Sequence, residues 1–253
     1  MAVRLSKDGN VIDSVESWFE FAPPKERERH WVDERSAKEL AKAFCGSGTV
    51  AVPVELAALL NSNPELGQLE VIDAWPEHKI ALDSYRGETR NADLAVLARG
   101  PKGNVAITIE AKADEPFAEI VRTRLEQSPE KSNVPARIEA LARGLFGLRP
   151  AEIGELRYQL LHGAAASLIF AAEQQAAAAV FAVFEFCGPA CSAENLRRNR
   201  QDLEKLVDLL GHRPATLDDC KLEGPFHVPG YRTIPAEIPL FIGKATRLVG
   251  QHS

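Results

Sequence analysis

The sequence predicts an α/β domain, and three observations carry that prediction. Residues 93–112 read as a β-hairpin: Leu94, Val96 and Ala98 alternate along one strand, and Val105, Ile107, Ile109 and Ala111 along the other. A long helix follows at about 155–174 with a buried stripe at Leu156, Leu160, Ala164 and Leu168, and an apolar strand comes next at 178–186. At 253 residues the chain is long enough for one large domain with a substantial core.

Each element has a local reason. Residues 1–35 are charged and aromatic without periodicity, and read as an N-terminal arm that packs Trp18, Phe19 and Trp31 on the core. Ser36 opens the first helix, and Glu39 three positions later suits a capping box. A second helical segment begins near Pro53 and carries Glu55, a weaker candidate acid. Residues 69–82 read as strand, bend and strand around Trp75-Pro76. After the hairpin, Pro116 suits the first turn of a helix, where Asp114 and Glu115 would favour the dipole. Residues 128–135 form a loop, and 135–145 a short helix stopped by Gly144 and Gly147. A C-terminal helix spans 193–210, and Pro225, Pro229, Pro235 and Pro239 then separate short strand-like pieces that extend or cover the sheet edge. A single domain, 1–253, is expected: arm 1–35, core 36–186, and a C-terminal helix and sheet extension 187–253.

The hairpin carries the chemistry. Arg99-Gly100-Pro101-Lys102-Gly103-Asn104 is rich in turn formers. Folding symmetrically about Pro101 and Lys102 pairs residues whose numbers sum to 203, which sets Asp93 opposite Glu110. Opposed residues have Cβ atoms roughly 4.5–5.5 Å apart, close enough for two carboxylates to share a cation. Lys112 lies two residues past Glu110, on the same face. A surface hairpin with a cross-strand Glu–Lys pair would explain Lys112 but would leave two acids opposed. Two acids and a lysine on one face suit magnesium-dependent cleavage of a phosphodiester.

These residues resemble the PD-(D/E)XK nuclease superfamily, with Asp93 as its first acid, Glu110 as its second and Lys112 as its lysine. Ala92 stands where the superfamily usually has proline. The element order over 36–186 is similar to the restriction-endonuclease-like α-β-β-β-α-β core, which implies a mixed central sheet flanked by helices. The segments SAKELAKAF (36–44), EAKADEPF (110–117) and RYQLLH (157–162) also resemble an uncharacterised bacterial family assigned to this fold. The resemblance implies catalysis by Asp93, Glu110 and Lys112, with Mg²⁺ or Mn²⁺ held by Asp93, Glu110 and the backbone carbonyl of Ala111. It adds Glu39 from the first helix as a candidate extra acid, against its capping-box reading. Gln159 would stand beside the site, against an ordinary polar position on a helix. Hydrolysis would leave a 5′-phosphate.

The remaining sequence bounds the function. Net charge is −6 with no basic run, which weighs against nucleic-acid binding by phosphate neutralisation alone. The best basic positions are Arg122 and Arg124, then Arg197, Arg198 and Arg200, all on helix surfaces. His162 reads as a surface or packing residue. Cys45, Cys187, Cys191 and Cys220 lack zinc-site spacing. No phosphate loop, dinucleotide fingerprint, serine elbow or H-E-x-x-H motif is present. No apolar run approaches the roughly 20 residues of a membrane span, and MAVRLSKDGN has no signal-peptide core, so a cytoplasmic protein with no membrane partner is expected. The expectation is a metal-dependent nuclease-like phosphodiester hydrolase acting on nucleic acid, DNA in preference to RNA. A homodimer or a partner protein would supply recognition. The alternative is a catalytically silent binding or regulatory module on the same fold.

Overall fold

The computed structural model describes residues 3–46, 48–85 and 89–250. Among these residues eight strands form one sheet: β1 (Arg4–Lys7), β2 (Asn10–Val11), β3 (Glu70–Ile80), β4 (Arg90–Gly100), β5 (Gly103–Lys112), β6 (Ala178–Cys187), β7 (Lys221–Phe226) and β8 (Leu240–Leu248). Their order across the sheet is β2-β1-β3-β4-β5-β6-β8-β7. The segment β3-β4-β5 is an antiparallel meander, whereas β5, β6 and β8 run parallel, so the sheet is mixed. The chain is an α/β protein whose mixed sheet has helices on both faces.

The hairpin register is the one expected from the turn. Leu94 pairs with Ile109, Val96 with Ile107 and Gly100 with Gly103, and every pair sums to 203. Pro101 and Lys102 form the tight turn. Leu94, Val96, Ala98, Val105, Ile107, Ile109 and Ala111 all enter one core. Helices α1 (Val15–Phe21), α2 (Ser36–Cys45) and α3 (Val54–Leu60) cover that face, contributing Trp18, Leu40, Phe44, Leu56 and Leu59. The opposite face packs on α5 (Val134–Phe146), α6 (Tyr158–Glu173) and α7 (Ala193–Gly211), with α4 (Val121–Glu126) at its margin. Strand β6 is apolar at nearly every position because both of its faces are covered.

Helix α6 is fastened to the sheet at close range. A Cβ at Gly163 would stand 2.6 Å from Cζ of Phe181 on β6, so only glycine permits this approach. One turn on, the buried hydroxyls of Ser167 and Thr108 are hydrogen-bonded at 2.6 Å, joining α6 to β5. These contacts set the position of the helix's first turn, where Gln159 lies.

Several expectations are corrected. Residues 70–80 form one strand rather than two; Pro76 lies opposite Leu94, past the last β1 pairing at Ala74, where an absent N–H costs least. The irregularity is instead a register shift between Val71 and Asp73. No helix starts at Pro116; α4 begins at Val121. Asp114 serves a different helix, its carboxylate accepting the Ser192 N–H at 2.8 Å just before α7. Gly147, at φ 70°, caps α5, and Gly144 lies inside that helix. The N-terminal arm is part of the sheet: β1 pairs with β3, and Leu5 and Ile12 are buried. Of the two roles expected for the C-terminal pieces, extension is the one found: β8 and then β7 continue the sheet beyond β6.

Candidate active site

Asp93 projects from the start of β4, and Glu110 and Lys112 from the end of β5, on the face opposite the aliphatic row. Beyond the last ladder pair, Asp93 Oδ2 accepts the Ala111 N–H at 2.7 Å. The N–H and C=O of one residue in an antiparallel ladder face the same neighbour, so the Ala111 carbonyl also lies on the Asp93 side. Glu110 is 2% exposed and Lys112 6%. Lys112 Nζ lies 3.1 Å from Glu110 Oε1 and donates to Gln159 Oε1 at 3.2 Å. Gln159 donates through Nε2 to the same Glu110 oxygen, and its Oε1 also accepts the Ala118 N–H at 3.1 Å. The α6 glutamine thus locks the carboxylate and the ammonium into one arrangement.

A cavity of about 410 Å³ opens over these groups, with Asp93, Glu110, Gln159, Glu77 and Arg90 in its wall. Lys112 does not line it; the ammonium is tucked behind, 5.4 Å from the centre of the Phe117 ring. Sequence reasoning missed three residues here. Arg90 donates to the second oxygen of Glu110, and Asn91 donates to Glu77, which adopts a left-handed backbone at φ 49°. Strict alternation would set Arg90 on the face opposite Asp93, so no periodic signal could have found it.

The electrostatics follow from burial and crowding. Burial, then the adjacent Glu110 charge, pushes the Asp93 carboxyl well above the usual aspartate range. Burial also acts to raise Glu110, but Arg90 and Lys112 outweigh it and hold that carboxyl low. Burial disfavours the Lys112 ammonium, yet the charges of Glu110, Glu115 and Asp93 more than offset it. Glu77 is pushed up to about 7, chiefly by burial.

Glu39 is not brought to this site. Its Oε1 accepts the Glu34 N–H at 3.0 Å and meets Lys42 at 2.8 Å, so the residue secures the start of its own helix. The capping box expected with Ser36 is not formed: Arg35 is the N-cap, and the Ser36 hydroxyl donates to Glu115 at 2.9 Å. Glu55 is also elsewhere, paired with Arg247 at 3.0 Å. His162 packs edge-on against the Tyr158 ring at 4.8 Å, and its Nδ1 is buried without a partner among the described residues. The four cysteines are free thiols. Among the described residues no three His, Cys, Asp or Glu side chains form a metal-holding group, and no helix is long and apolar enough to cross a membrane.

Residues 11–248 match a family described as a domain of unknown function, DUF6946, and the chain belongs to that family. No curated protein and no solved structure matches it.

Proposed function

We propose that this DUF6946 protein is a metal-dependent phosphodiesterase acting on nucleic acid, with Asp93, Glu110 and Lys112 as its catalytic residues. One observation carries the reading: two acids from adjacent strands line one recessed cavity, and behind it a glutamine and one of those acids hold a lysine rigidly. With α3 between α2 and β3, and α4 and α5 between β5 and α6, the succession α2, β3-β4-β5, α6, β6 is an antiparallel meander followed by a parallel crossover, and it supports a restriction-endonuclease-like core.

The donor set fits a hard divalent cation. Asp93 has one oxygen on a backbone N–H, and burial followed by the Glu110 charge raises its pKa, a penalty that a cation between the two carboxylates would relieve. Asp93, Glu110 and the Ala111 carbonyl would hold Mg²⁺ or Mn²⁺ through oxygen ligands. When bound, the ion supplies polarisation of the scissile phosphate and a lower pKa for water. Lys112, fixed by Glu110 and Gln159, orients the attacking water and offsets charge developing on the phosphorane-like transition state. Gln159 acts through both partners as a positioning residue.

A second reading has its own support. Arg90 already neutralises Glu110 from inside the protein, as a silent module would retain it. The assay that separates the two is cleavage of single- and double-stranded DNA and RNA with Mg²⁺ or Mn²⁺. Wild type should cut at least one substrate. Lys112→Ala should keep metal affinity and lose on the order of 10²–10³ in rate, the usual cost of one electrostatic group. Asp93→Ala should lose metal binding and cleavage together. Absence of both metal binding and cleavage in wild type would establish the silent module.

A further inference from the structure

A second cavity, of about 240 Å³, adjoins the first, and Arg90 and Asn91 line both. Its wall draws guanidinium groups from two other elements, Arg124 from α4 and Arg137 from α5, beside Tyr158 and His162 from α6. No acidic side chain lines it among the described residues. Three of its nitrogen atoms, Arg90 Nε, Arg124 Nε and His162 Nδ1, are buried and have no hydrogen-bond partner there. The Arg90 side chain is only 10% exposed, so its idle N–H cannot turn to bulk water. A buried donor left unpaired is costly, and three such nitrogens on residues that line one cavity favour an acceptor bound there.

We propose that this second cavity binds a phosphate group of the nucleic-acid strand whose scissile linkage lies at Asp93, Glu110 and Lys112. The assignment rests on the phosphodiesterase reading and names how its substrate is held. A phosphate presents several acceptor oxygens, and guanidinium donors match that geometry best. The field is right as well. Burial first, and then Arg90, Arg137, Lys112 and Arg124, drive the His162 imidazolium well below its usual pKa, so the ring sits in positive potential that an anion would relieve. Each of these arginines has an acid partner outside the cavity lining: Glu110 on Arg90, Asp83 on Arg137, and Glu119 on Arg124 at 3.4 Å. Nε of Arg90 and of Arg124 remains unused. A fourth unpaired atom on a lining residue, Asn91 Oδ1, is an acceptor, which a sugar hydroxyl attached to that phosphate would satisfy. The cations come from segments far apart in the chain, so a protein of net charge −6 acquires a cationic wall without any basic run.

The test is calorimetric titration of inorganic phosphate, without metal, into wild type, Arg124→Gln and Asp93→Asn, with folding checked by circular dichroism. Arg124 is 40% exposed, so its replacement leaves the fold intact. Wild type should bind phosphate, and Arg124→Gln should bind about tenfold more weakly, as loss of one charged hydrogen bond requires. Asp93→Asn removes a proposed metal ligand yet should bind phosphate at least as well as wild type. That variant keeps this proposal separate from cleavage: phosphate binding without nuclease activity would refute only the reaction. Phosphate should also displace a labelled single-stranded oligonucleotide from wild type. No phosphate binding by wild type, equal binding by Arg124→Gln, or failure to displace the oligonucleotide would each overturn the assignment.

Discussion

Arg90 and Lys112 both neutralise Glu110, from opposite sides, and this sharing decides how the site behaves. Removing one partner of a buried charge pair leaves the other uncompensated, so each cation is structural as well as chemical. Glu39 is the contrast: Glu39→Gln should leave Mn²⁺ affinity unchanged and cost about 1 kcal/mol or less, because an amide still accepts the Glu34 N–H and only the Lys42 pair is lost. Calorimetry with Mn²⁺ checks the first half and urea unfolding the second. Glu77 gives a pH signature. Its carboxyl titrates near 4.5 in a model peptide and at about 7 when folded, so between those values the native state holds the proton more tightly. Its contribution to stability is therefore present in full below pH 4.5 and lost as pH rises through 7. Glu77→Gln should flatten the fall in unfolding free energy across that window. An unchanged slope would show that Glu77 is not the group responsible.

Among the elements, the hairpin was the most legible. Strict alternation and a turn-rich hexapeptide left only one register that kept both aliphatic rows in the core, and Leu94 opposite Ile109 is that register. Helix α6 was legible as a helix, but the grip of Gln159 on Glu110 and Lys112 was not. That grip depends on how closely α6 approaches the sheet, which Gly163 sets against a phenylalanine 18 residues further along the chain. Gly163→Ala should therefore destabilise the protein by about 1–3 kcal/mol through overpacking, despite the better helix propensity of alanine. It should also lower any cleavage rate by displacing Gln159. Denaturant unfolding measures the first effect, and a neutral or stabilising outcome would show that α6 can shift away from Phe181. Residues 113–120 were misread because a proline after two acids suits a helix start, whereas Asp114 is spent on the start of α7, which lies far along the chain.

Across the whole molecule, what could not be read was long-range. The arm 1–35 has no periodicity of its own because its short strands β1 and β2 and its short helix α1 take their stability from β3 and the core. The C-terminal extension of the sheet was legible, but its order was not: β8, which follows the prolines, pairs with β6, and β7 takes the outer edge. The acid pair was visible from local register, while Arg90, Arg124 and Arg137 meet only once β4, α4 and α5 are packed. The central claim is that Asp93 and Glu110 share a divalent cation, and a crystal soaked in Mn²⁺ with anomalous diffraction tests it most directly. The account predicts one anomalous peak between the two carboxylates, in reach of the Ala111 carbonyl, with Arg90 turned away from Glu110. An Arg90–Glu110 pair left intact, with no peak at either acid, would contradict it.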